Sequence, residues 1–96
     1  MRVVRILKLV SGDEVIGQIN EDEDKFRKTI HRPRVVMEIF TDKGPAITFR
    51  PFIRGALDPE VITVPAGQVI WTCEATNTVE TAYMKDVSPI VLSREG

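Results

Sequence analysis

The densest chemistry in this chain is the basic run Lys25, Arg27, Lys28, His31, Arg32 and Arg34, interrupted by the aromatic Phe26. Cations spaced along an extended segment can follow a phosphate backbone, and a flanking aromatic can stack on a base. The run therefore predicts nucleic-acid contact that weakens with salt. Its candidate binding residues are Lys25, Phe26, Arg27, Arg32 and Arg34. Strand alternation puts Lys25 and Arg27 on one face and Lys28 on the other. Two plainer explanations compete. The spacing of Phe26 suits a core position, and the cations can be solvated or paired with the acidic tip Glu21-Asp22-Glu23-Asp24 of the same or a neighbouring subunit.

That acidic tip has the oxygen ligands a hard cation needs, but it lacks the glycine and ligand periodicity of a dedicated calcium loop. It reads as a solvated connection between strands. His31 is the only histidine and Cys73 the only cysteine, so one chain cannot assemble a zinc ligand set. Ser11, Ser88 and Ser93 have no base partner, and no glycine loop is built to cradle phosphate. The expectation is a protein without metal or cofactor, and not an enzyme. Cys73 reads as a small core or interface residue, and Trp71 and Tyr83 as core and helix-docking residues.

Ninety-six residues make one domain, with a net charge of −1 that offers no global basic field to nucleic acid or anionic membrane. A single cysteine excludes an intrachain disulfide and fits a reducing compartment. The apolar runs are too short to cross a bilayer as a helix. Met1-Arg2-Val3-Val4-Arg5 enters an alternating segment directly, without the apolar centre of a signal peptide. The expected location is the cytoplasm.

The elements that must position these residues follow from periodicity. Val3, Arg5, Leu7 and Leu9 alternate with Val4, Ile6, Lys8 and Val10 in a first strand. Ser11-Gly12-Asp13 turns the chain into a second strand, Glu14 to Asn20, containing Gly17. A glycine inside a strand marks strong bending or a close neighbour. A third strand begins at Lys25 and must bend, bulge or reach an edge at Pro33, which has no N–H to donate. Val35 to Phe40 resumes it, and Thr41-Asp42-Lys43-Gly44-Pro45 is a turn by composition. Ala46 to Ile53 forms a fourth strand with Ile47, Phe49 and Ile53 on one face. Val61 to Val64 is a short strand or strand extension, and Gln68 to Glu74 a last strand with Val69, Trp71 and Cys73 opposed to Ile70 and Thr72. Asn77 and Glu80 have the form of a capping box before a helix over about 78–87. Val79, Ala82, Tyr83 and Val87 form its apolar stripe. Ser88-Pro89 stops it, and Ile90 to Gly96 is read as an added strand or a frayed end.

The Leu7-to-Ile19 stretch, with its turn glycine Gly12 and strand glycine Gly17, resembles the first signature of the Sm and Sm-like (Lsm) family. The resemblance spans roughly Val3 to Glu74. It is closest to the small Sm-like proteins of tailed phages, including cyanophages, which carry their helix at the C-terminus. It implies a mainly β fold: a strongly bent, five-stranded antiparallel barrel of SH3 type with a C-terminal helix. RNA-binding relatives carry Asp-x-apolar-Asn after the second strand, where this chain has Asp24-Lys25-Phe26-Arg27. Arg27 only donates hydrogen bonds, whereas the amide it replaces both donates and accepts. Ile53-Arg54-Gly55 resembles the second signature by letter, although Val64-Pro65-Ala66-Gly67 occupies the place directly before the last long strand.

The same resemblance implies that the fourth and last strands pair between subunits. Ile47, Phe49, Ile70 and Thr72 are then the candidate interface residues of a homo-oligomeric ring of about five to seven copies. Two functional expectations stand side by side. The ring offers a surface to RNA or another protein, or it is a structural or assembly component that has lost RNA binding.

Overall fold

In a computed structural model of the chain, the described residues are 2–20, 25–52 and 60–87. The glycine at position 12 makes the first connection possible. Gly12 has φ +99°, a left-handed conformation open to glycine, and its N–H donates to the Leu9 carbonyl at 2.9 Å. Strand β1 (Arg2–Leu9) thereby folds back against β2 (Glu14–Asn20), with Leu7 opposite Val15 and Val3 opposite Ile19.

Strand β3 (Arg27–Thr41) is a single 15-residue strand, and it bends where Pro33 requires it to. Val15 and Ile16 of β2 face Val35 and Arg34, but Gln18 faces His31, so Gly17 alone spans Arg32 and Pro33. This is a bulge, with one extra residue on β3. Arg32 occupies the left-handed region at φ 53°. Gly17 is needed because a Cβ there would collide with Ile30 Cγ2 and lie 3.1 Å from the His31 carbonyl oxygen. The extra residue also switches faces. Ile30 and Val35 would point opposite ways in an unbroken strand, yet both are buried, Ile30 in the same core as Val15 and Val35 directly across from Val15.

The other edge of β3 takes two partners in succession. Strand β4 (Gly44–Pro51) pairs with residues 34–41, and β5 (Val61–Pro65) with residues 27–31. The five expected strands become six for this reason. A three-residue 3-10 turn, Ala66–Gln68, carries the chain from β5 directly to β6 (Val69–Glu74), which pairs with β1. The sheet order β4-β3-β2-β1-β6, with β5 on β3, therefore curls around a core of Leu7, Leu9, Val15, Ile19 and Ile30. The architecture is mainly β, one antiparallel sheet compatible with a small bent barrel, plus a single C-terminal helix.

Helix α1 (Asn77–Val87) makes a second core on the opposite face of the sheet. Tyr83 and Val87 pack with Ile16, supported by Val4, Ile6, Val36, Phe49 and Val79. Val79, Tyr83 and Val87 are one i, i+4 row; Ala82 lies off that row and is exposed, contrary to the expected stripe. The N-cap is Thr76 rather than Asn77: its Oγ1 accepts from the Val79 N–H at 3.3 Å. The third helical position is then Val79, and no capping box with Glu80 forms. The Tyr83 hydroxyl donates to the Arg32 carbonyl at 2.7 Å and meets that of His31 at 3.4 Å, joining the helix to the bulge.

Two measurements check this framework. Gly17→Ala should destabilise the protein by about 1–3 kcal/mol through overpacking. Gly67→Ala, where no atom lies within 4 Å of the new Cβ, should stay within about 0.5 kcal/mol of the parent in urea unfolding. Burial pushes the Tyr83 hydroxyl up from 10.0 to about 12. A raised folded value means that the native state keeps this proton after the unfolded chain has lost it. Tyr83 should therefore contribute fully below pH 10.0 and lose its contribution as the pH rises through about 12. Tyr83→Phe should flatten that alkaline loss while costing about 1 kcal/mol at neutral pH.

Candidate functional site

The basic run is divided by the bulge. Lys25 and Phe26 form the turn before β3, with the Lys25 Nζ 5.5 Å from the centre of the Phe26 ring. Phe26 is 71% exposed, which overturns the core position its spacing suggested. It precedes the ladder: its carbonyl accepts the Ala66 N–H at 2.9 Å, while inward packing on β3 starts with Ile30. Arg27 follows it at the strand end, opposite Pro65. Lys28 sits across from Val64.

Arg32 and Arg34 lie at the bulge, away from that end of the strand. The Arg32 N–H is donated to the Glu60 carbonyl, and its own carbonyl accepts from Tyr83. Arg34 Nε lies 3.2 Å from Asp86 Oδ2, and its Nη1 donates to the Pro33 carbonyl at 2.9 Å. Arg34 thus anchors the end of α1, with only 15% of its side chain exposed. Seven residues of bent strand separate Arg27 from Arg34, a contour of at most about 23 Å. The five candidates do not converge. Lys25, Phe26 and Arg27 remain together at one end of the sheet.

The acidic tip Glu21 to Asp24 and the Arg54-Gly55 pair lie outside the described residues, as do Ile53 and the segment after Val87. Among the described residues no group of three or more His, Cys, Asp or Glu side chains is placed to hold a metal ion. Cys73 is free and exposed on β6, so it is not a core residue. No helix among those residues is long and apolar enough to cross a membrane. A cleft of ≈ 450 Å³ between β1 and α1 is bounded by Arg2, Arg5, Gln18, Glu80 and Met84, a mixed lining in which nothing selects a nucleophile and its base.

What the fold does bring into relief is a pair of strand edges. Strands β4 and β6 end the path and β5 pairs only with β3, so among the described residues no strand covers the outer side of any of the three; the larger exposed apolar side chains of the first two single out β4 and β6. On β4, Pro45 and Pro51 have no N–H, so they sit where the amide faces away from β3. Backbone direction alternates along a strand, so Ile47 and Phe49, at the same parity, also point their N–H and C=O groups outward. The side chains of these residues lie on the helix face. Phe49 is covered there, its ring edge-on to Tyr83 at 6.2 Å and 75°, while Ile47 is 44% exposed.

On β6 the corresponding residues are Thr72 and Glu74. The Leu9 N–H bonds the Asp13 carbonyl on the β2 side, and the Val10 N–H bonds the Gln68 carbonyl on the β6 side. Alternation then makes Lys8–Trp71 and Ile6–Cys73 the bonded pairs and turns the Thr72 and Glu74 amides outward. An irregularity between Lys8 and Leu9 leaves Val69 inside but sends Trp71 to the helix face. Trp71 is 42% exposed and Ile70 59% exposed, so the expected core role of Trp71 is overturned. A bulge that shifts one residue cannot be read from alternation alone.

Compared with known families and curated proteins, the chain matches no family model and no curated protein.

Proposed function

We propose that this protein is a non-enzymatic, self-assembling β module of Sm-like type, whose working property is pairing of strand edges between copies. The observation that carries the reading is that two strand edges, uncovered among the described residues, offer outward backbone donors and acceptors beside exposed apolar side chains: Ile47 on β4, Ile70 and Trp71 on β6. Such edges template pairing with another chain, and an ordered partner removes the hazard. The resemblance to the Sm-like family supplies a homo-oligomer closed by strand-edge pairing as the form of assembly. In this reading the module acts as a structural or assembly component.

A second activity has its own observation. The exposed Phe26 stands between Lys25 and Arg27, a stacking surface flanked by cations that suits single-stranded nucleic acid. The contact set is then three residues, without Arg32 and Arg34.

Light scattering at micromolar concentration should give the mass of a homo-oligomer. The double variant Ile47→Pro with Thr72→Pro removes one outward N–H from each edge and spares the bonds to β3 and β1, so it should run as a folded monomer. A wild-type protein that is monomeric and fully folded would remove the assembly reading. For nucleic acid, a short RNA titration should show affinity falling with salt and dropping about 5–150-fold in Phe26→Ala, the 1–3 kcal/mol of one stacked base. Arg34→Ala should leave it unchanged. Absence of saturable binding at low salt would eliminate that second activity.

A further inference from the structure

Resting on the strand-edge reading, we infer that β4 is self-complementary: two copies of this chain pair their β4 edges antiparallel about a two-fold axis through Thr48. The partner at this edge is a second copy, and the pairing residues are Ile47 and Phe49.

The argument begins with the prolines. Pro45 and Pro51 stand three residues on either side of Thr48, and between them only Ile47 and Phe49 carry an outward N–H. An antiparallel pairing centred on Thr48 sets Ile47 against the partner's Phe49 and Phe49 against the partner's Ile47. Each of these pairs exchanges both backbone bonds, in the closely bonded geometry of an antiparallel ladder. Pro45 then meets the partner's Pro51, so the positions without a donor coincide and no available N–H faces a proline. Shifting the register by two residues in either direction pairs Ile47 or Phe49 with its own copy and sets the other donor against a proline, whose carbonyl accepts a bond but which returns none. Only the centred register sets both donor-bearing residues in pairs that exchange two bonds.

Side chains agree with this register. On the helix face, Ile47 would lie beside the partner's Phe49, a ring already held in place by Tyr83. Cross-strand aromatic–β-branched pairs of this kind stabilise antiparallel sheets. On the other face, Thr48 meets the partner's Thr48, and Ala46 meets the partner's Arg50, so no like charges are directly opposed.

Pairing β4 with β6 is less well matched. Outward amides belong to helix-face residues on β4, but to barrel-face residues on β6, since Thr72 pairs with Leu7 and Leu7 is in the barrel core. Paired residues share a face, so a β4–β6 ladder would put the helix-covered side of one copy in line with the barrel side of the next. The two-fold β4 contact keeps like faces together.

Cysteine cross-linking tests the register. In a Cys73→Ser background, Thr48→Cys places two thiols on the axis, at a directly opposed pair about 4.5 Å apart between Cα atoms. That lies within disulfide reach, and mild oxidation should yield a covalent dimer on a non-reducing gel. Ala46→Cys in the same background should not link to itself, whereas a mixture of Ala46→Cys and Arg50→Cys chains should. Ile47→Pro alone should lower the mass by light scattering, and Thr72→Pro alone should leave the dimer intact. Equal linking by Ala46→Cys and Thr48→Cys overturns the register. A wild type that is oligomeric while folded Thr48→Cys does not link removes the two-fold contact but leaves edge assembly standing. A monomeric wild type removes both.

Discussion

The fold depends on one bulge and what seals it. Gly17 lets the extra residue of β3 come close, Arg32 takes a left-handed backbone at a cost of about 1–2 kcal/mol, and Pro33 buries its ring without needing a donor. Both polar groups of the strained Arg32 backbone are satisfied, the N–H by Glu60 and the carbonyl by the Tyr83 hydroxyl. Because the bulge switches β3 from one face alternation to the other, the same strand serves two cores. Ile30 packs in the core inside the curled sheet, and Val36, beyond the bulge, faces the helix. The C-terminal helix is docked by a hydrogen bond to the irregularity that bends the sheet. Bending and helix docking are therefore one event in this molecule.

That arrangement also determines which edges stay open. β3 spends one edge on β2 and the other on β4 and β5 in turn, while β1 lies between β2 and β6. The path of paired strands ends at β4 and β6, and among the described residues β5 keeps an uncovered edge as well. Prolines at 45 and 51 limit β4 to a short bonding window, the kind of restriction that lets an edge choose one partner and register over indiscriminate stacking. The helix contributes as well. By holding Phe49 through Tyr83 it fixes the side chain next to the outward amides, so the edge is ordered before any partner arrives.

Much of this was legible from residue types. Gly12 and Gly17 marked a tight turn and a close approach, and Pro33 required an interruption in β3; all three do so for local steric reasons that hold in any context. The spacing of Val79, Ala82, Tyr83 and Val87 predicts the terminal helix, although Ala82 turns out to lie off its buried row. The candidate site was less legible. Phe26 and Trp71 were placed in the core by alternation, yet both are exposed. Phe26 sits just outside the ladder, and an irregularity displaces Trp71 onto the helix face. Arg34, grouped with the cations by sequence proximity, is tied to Asp86, 52 residues away. Its partner is a product of helix docking, which no local pattern encodes.

Most strand segments, the turn and bend positions and the near-neutral charge are readable from residue types alone. These depend on backbone sterics, missing donors and composition, which are local properties. Long-range packing sets which face each residue occupies beyond a bulge, that Arg34 is committed to the helix, and which amides point to an open edge. One extra residue reverses side-chain and hydrogen-bond direction together, and whether it is inserted depends on Gly17 and Tyr83 meeting β3 from elements distant in the chain.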